Sequence, residues 1–203
     1  MEGSTRVGVL GGTFVPILFG HLAAAEDVAL QLELETVLFV PNGRPPHKDE
    51  VGVSQVADRV AMVELAVADN TRFAVSTIEI ERPGPSYTLD TLRGLQRLLP
   101  CAQLFFLLGA DALPEFHTWH EPFSLLAEFQ LVIMDRDAGR GIDWTSVERH
   151  FPDIRSLVQF AHVAQLEISG KDVRHRVATG RPIRYLVPPA VDRYIRRHDL
   201  YSA

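Results

Sequence analysis

The chain has 203 residues, enough for one well-filled core and too few for a second full domain. Hydrophobic residues make up 46% and charged ones 23%, the balance of a globular protein in water, and a formal net charge of -6 disfavours a nucleic-acid binder working through a basic face. Cys101 is the only cysteine, which excludes an intrachain disulfide and a cysteine-built metal site, and the first apolar run is too short for a signal peptide or a membrane span, so the expected location is cytoplasmic.

Val7, Val9 and Leu10 form an apolar run that breaks at Gly11-Gly12. A short loop containing Pro16 then leads to Gly20-His21, just ahead of an alanine-rich helical pattern over 22–32. Residues 36–40 read as a second buried strand, bounded by Pro41-Asn42-Gly43. Strand, helix and strand in so short a span imply a right-handed crossover in a parallel sheet. A loop rich in Pro, Gly and charge follows over 41–54, then a helix over 54–68 with Val56, Val60, Val63 and Val67 at helical spacing. Alternation predicts a strand over 73–80, and four leucines on one face predict a helix over 87–99, closed by Pro100. The clearest buried strand is 103–108. Beyond it come a short helix over 123–128, a strand over 129–134, a polar turn over 135–143, and a helix towards His150 that Asp143 could cap. An irregular extended segment covers 158–168, and helices over 169–178 and 189–197 end the chain. The expected fold is α/β, a doubly wound, Rossmann-like parallel sheet with helices on both faces, forming a single domain over 1–203.

Glycines between a strand and a helix start suit phosphate, because backbone N–H groups can approach the ligand and the first helical turn has unpaired donors at the positive end of its dipole. Neither the Rossmann G-x-G-x-x-G nor the P-loop G-x-x-x-x-G-K-[ST] fits the opening stretch. His117, His120 and Glu121 match no zinc spacing, so no metal ligands are assigned.

The opening stretch resembles the G-G-T-F-D-P-I-H-x-G-H signature of the HxGH nucleotidyltransferase superfamily. Val15 stands where that signature has Asp, and Leu18 where it has its first His. Residues 41–48, P-N-G-R-P-P-H-K, are similar to a motif of one branch, the bacterial nicotinate-nucleotide adenylyltransferases. S-Y-T-L-D-T-L at 86–92, G-A-D-A-L at 109–113 followed by Trp119, and 180–191 resemble the same branch. The stretch 168–174, I-S-G-K-D-V-R, is similar to the second signature, I-S-S-T-x-[IV]-R, with Gly170 and Lys171 replacing its second Ser and its Thr.

The resemblance implies adenylyl transfer from ATP to nicotinate mononucleotide, giving deamido-NAD and pyrophosphate in NAD biosynthesis. ATP would be a substrate, with Mg2+ held mostly by phosphates and water. It places ATP against Gly11, Gly12, Thr13, Phe14, Gly20, His21, Gly109, Asp111, Ser169 and Arg174, and the mononucleotide against Lys48, Tyr87, Thr88, Trp119 and His120. His21, Lys48 and Arg174 would serve catalysis, and the helical part from about 169 to 203 would close over the triphosphate. Val15 and Leu18 lead us to expect slow or absent turnover. Two alternatives follow: a nucleotide-binding protein of this fold without turnover, or a related phosphopantetheine adenylyltransferase, which the matches at 86–92 and Trp119 argue against. Membrane and nucleic-acid partners are not expected; a homo-oligomer and a preference for acid or amide mononucleotide both stay open.

Overall fold

Strands buried on both faces must be apolar at successive positions rather than at alternate ones, and the sequence has several such runs. The structure, a computed structural model, describes residues 4–43, 54–137, 139–164 and 166–202. Six strands, β1 (Arg6–Gly12), β2 (Thr36–Pro41), β3 (Phe73–Val75), β4 (Gln103–Gly109), β5 (Gln130–Asp135) and β6 (Val158–His162), form a single sheet ordered β3-β2-β1-β4-β5-β6. Every neighbouring pair is parallel. The expected doubly wound α/β fold is therefore present, and the strand order reverses between β1 and β4, where open sheets of this kind take ligands beyond the strand ends.

Side chains of β4 divide between the two cores. Phe105 and Leu107 enter the core covered by α1 (Phe19–Gln31), α2 (Val56–Val67), α8 (Gly170–Ala178) and α9 (Pro189–Arg197). Leu104, Phe106 and Leu108 enter the other, under α4 (Thr88–Leu98), α5 (Pro122–Glu128), α6 (Trp144–His150) and α7 (Ile154–Leu157). The last helix is tied to α2 by the Tyr194 hydroxyl, which donates to Asp58 Oδ1 at 3.0 Å, and the tail behind it by a 3.0 Å bond between Tyr201 and Ser54. At the other end of the sheet, Cys101 is exposed just before β4, and its carbonyl accepts from Ser4 Oγ at 2.7 Å.

Several expectations need correcting. The strand placed over 73–80 ends at Val75, and Ile78–Glu81 turns into a short helix, α3, because the alternating pattern there serves a turn that buries Glu79. Helix α1 starts at Phe19 rather than after His21, so Gly20 and His21 lie in its first turn. A 3-10 segment, Ala110–Thr118, occupies a stretch given no element, with Pro114 inside it. Of the extended segment 158–168 only Val158–His162 is a strand, and α7 was not foreseen. Asp143 does cap α6, its side chain accepting from Ser146 N. No helix among the described residues is long and apolar enough to cross a membrane.

Candidate nucleotide site

Helix α1 starts on a residue without a capping side chain. Leu18 occupies the N-cap position, and its backbone N–H donates to His21 Nδ1 at 3.0 Å, so the third helical residue supplies the acceptor. That bond assigns the ring proton to Nε2 and leaves Nε2–H as the imidazole's donor. Burial pushes His21 down to about 4, which keeps the ring neutral at pH 7. Phe14 meets the ring edge-on at 5.3 Å.

The loop between β1 and α1 is held by its carbonyls. Arg59 on α2, 2% exposed, donates from Nη1 to Thr13 O at 3.0 Å, and Arg174 on α8 donates from Nη1 to Val15 O at 2.6 Å. Between them Phe14 sits at φ 49°, in the left-handed region, with its ring buried against Phe39. Gly12 is needed here, because a Cβ on it would come within 2.9 Å of the Phe14 ring. Desolvation lowers the Arg59 pKa, although Tyr201 and Glu79 oppose that shift.

Two cavities open at the carboxyl ends of the strands. The larger, about 290 Å³, is lined by Leu18, Gly20, His21, Gly109, Asp111 and Asp135 among others. Asp135 spends its Oδ2 on the amides of Asp137 and Gly139, whereas Asp111 is exposed and forms no hydrogen bond or ion pair among the described residues. The smaller, about 90 Å³, is lined by Gly11, Asn42, Glu79, Ser86, Thr88, Phe106 and Trp119 among others. Thr88 is the first residue of α4, and Trp119 packs at 6.0 Å from Phe106 and 5.4 Å from Phe116.

Of the site residues singled out from the sequence, Gly11, Thr88 and Trp119 line the smaller cavity and Gly20, His21, Gly109 and Asp111 the larger, while the others among the described residues enter neither lining. Tyr87 and His120 are stacked on each other at 4.2 Å, beside Thr88 and Trp119 in sequence. The Ser169 hydroxyl is occupied in capping α8 through Asp172 N. Lys48 lies outside the described residues. Among the described residues no group of three or more His, Cys, Asp or Glu is placed to hold a metal ion. Arg59 and Glu79 escaped the sequence reading: Arg59 interrupts the valine face of α2, a visible signal, but alternation gave no reason to bury Glu79.

The model of the Cytidylyltransferase-like family matches residues 9–176. A protein of Thermomicrobium roseum named "Probable nicotinate-nucleotide adenylyltransferase" is 43% identical over 197 residues, 97% of this chain and 92% of its own. One of the same name from Roseiflexus sp. is 44% identical, with 98% of each chain covered. The chain belongs to the nicotinate-nucleotide adenylyltransferase family. Its fold matches that of the Plasmodium falciparum nicotinic acid mononucleotide adenylyltransferase complexed with NaAD, with a TM-score of 0.76, 19% identity and 97% of each chain covered. A putative nicotinate-nucleotide adenylyltransferase of Vibrio parahaemolyticus gives a TM-score of 0.70 at 16% identity, covering 97% of this chain and 95% of that one. As a nicotinate-nucleotide adenylyltransferase the chain departs from the family signatures at Val15, Leu18, Gly170 and Lys171, and two of these meet: a Cβ on Gly170 would lie 2.7 Å from the Val15 carbonyl oxygen.

Two outcomes are expected. Above pH 6.5 His21 is neutral in both the folded and the unfolded chain; as the pH falls from there towards 4 the unfolded chain binds a proton that the folded chain refuses, so stability is lost across this window. In His21→Asn, whose Oδ1 can take the Leu18 N–H, the melting temperature should fall less steeply between those pH values. Gly170→Ser restores the family letter yet should destabilise the chain in urea unfolding by about 1–3 kcal/mol, because its Cβ meets backbone rather than a movable side chain.

Proposed function

We propose that the larger cavity takes ATP, the smaller one takes the nicotinate ring of nicotinate mononucleotide, and the Gly11–Phe14 turn between them carries the reacting phosphates. The single observation behind this reading is that both cavities are lined by β4, through Phe106 in the smaller and Gly109 in the larger, beside the point where strand order reverses, with the start of α4 at the smaller and the start of α1 at the larger. A phosphate oxygen of the mononucleotide attacks the α-phosphorus of ATP, the bond to the bridging oxygen breaks, and pyrophosphate leaves with that electron pair. Deamido-NAD is the other product.

No protein nucleophile is needed, so catalysis consists of aligning two anions and spreading the charge that develops on the transferring group. His21 Nε2–H and the amides of the turn would serve the phosphates as neutral donors. Arg174 holds the Val15 carbonyl with one nitrogen and keeps its remaining N–H groups for the triphosphate, so that the part from 169 to 203 closes that side. Lys48 would add a cation. Thr88 and the first turn of α4 suit the ring carboxylate, with Trp119 as a flat wall. Tyr87 and His120 would flank the ring after their stack opens. Magnesium would be held by phosphate oxygens and water, for which the uncommitted Asp111 carboxylate at the rim is a fitting hard-oxygen neighbour, and it would supply charge neutralisation. Composition and bacterial relatives support a cytoplasmic setting.

Leu18 gives this wall of the larger cavity an apolar side chain where the family signature has a donor, and loss of one such donor costs on the order of a hundredfold to a thousandfold in rate. Slow turnover is therefore expected in a pyrophosphate-release assay with ATP, magnesium and nicotinate mononucleotide. Leu18→His combined with Val15→Asp should raise the rate by at least about tenfold. An unchanged rate would refute this account of both positions, and calorimetric binding of both substrates without pyrophosphate release would mark a nucleotide binder.

A further inference from the structure

Glu79 is a buried charge that the chemistry above leaves unused. It is 6% exposed on the short α3 turn and forms part of the wall of the smaller cavity. Thr91 Oγ1 donates to its Oε1 at 2.8 Å, and Arg82 Nη2 donates to the same hydroxyl at 3.2 Å. The Ser86 hydroxyl and the Gly43 amide lie close enough to favour its charged form, as does the Arg82 charge, while burial opposes it and raises its pKa. Oε2 is buried with no hydrogen bond of its own among the described residues.

Burying a carboxylate costs several kcal/mol unless something repays it, and an apolar residue of similar shape would fill the same space without that cost. Packing therefore gives no reason to keep a charge here. Its position does: the groups around it, Gly43 at the exit of β2, Ser86, and Thr91 in α4, belong to the segments that frame the smaller cavity. The ring expected there is a pyridinium, cationic at its nitrogen, and its carboxylate is directed to the start of α4. A negative group in the lining of the same cavity complements that cation, and Oε2, which accepts no hydrogen bond among the described residues, is its uncommitted atom.

We propose that Glu79 is a specificity-determining residue of the mononucleotide site, complementing the cationic pyridinium ring and holding the exit of β2 against the first turns of α4. This rests on the assignment of the smaller cavity to the ring. Arg82 and Arg59 are the charged groups that act on Glu79 from neighbouring elements, and neither forms an ion pair with it among the described residues.

Glu79→Gln keeps the shape and removes the charge. In calorimetry with nicotinate mononucleotide the affinity should fall about tenfold while ATP affinity stays within about twofold, and in steady state the KM for the mononucleotide should rise by a similar factor with kcat little changed. The melting temperature should hold or rise, since a buried charge has gone. The dihydropyridine form of the mononucleotide, which has no ring cation, should bind wild type and Glu79→Gln alike. Equal losses for both substrates, or a lower melting temperature with mononucleotide affinity unchanged, would reduce Glu79 to a structural brick and overturn the proposal. Should Glu79→Gln not fold, Thr91→Val, which strips Oε1 of its donor, is read in the same titrations with the same two outcomes. Wild type that binds no mononucleotide would instead refute the assignment of the cavity, whereas wild type that binds it and a variant that binds it equally well refutes only the role of Glu79.

Discussion

Two guanidinium groups from distant parts of the chain hold the carbonyls of one loop. Arg59 takes that of Thr13 and Arg174 that of Val15. For the phosphate-carrying role proposed for this turn the carbonyls are the hazard, because each one that faces a phosphate repels it, and a carbonyl engaged by an arginine cannot do so. The buried Phe14 ring then pins the left-handed backbone between them. The sheet sets where the turn lies, beside the reversal of strand order, and these two contacts fix its backbone. They also explain why helices as distant in sequence as α2 and α8 must dock on the same core as α1.

Three of the departures from the family pattern lie around that loop. Val15 is an acceptor through its carbonyl, Leu18 is an N-cap with no capping oxygen, and Gly170 lets α8 come close to Val15. His21 compensates at Leu18 by accepting the stranded amide, which fixes the tautomer and leaves the helix start sound. Under the proposed function the cost of Leu18 falls on donation towards the phosphates rather than on structural integrity, so folding and catalysis would be affected separately.

How much could be read beforehand depended on whether a residue's environment was set locally. β1, β2, β4 and β5 were legible because a strand buried on both faces writes an unbroken apolar run. Of the cavity linings, Gly11, Gly20, His21, Thr88, Gly109, Asp111 and Trp119 were singled out, through resemblance to family motifs rather than through local pattern. The start of α1 was not legible, since Leu18 carries no capping oxygen and the true acceptor, His21, acts from inside the helix. The stretch from Phe73 to Glu81 alternates like a strand, yet its second half turns to bury Glu79 beside Thr91, a preference imposed by tertiary contacts. Arg59 was visible as a charge on a valine face, but its partner, a backbone carbonyl 46 residues away, leaves no trace in composition.

The lone thiol of the chain, Cys101, is exposed just before the amino end of β4, and β4 ends seven residues of strand later at Gly109, in the wall of the larger cavity. At about 3.3 Å per residue the sulfur is separated from the cavities by roughly 20 Å. A single fluorophore attached there without any engineering would leave the ligand-binding end untouched, and in a resonance-energy experiment with a fluorescent nucleotide it would give one unambiguous donor–acceptor distance.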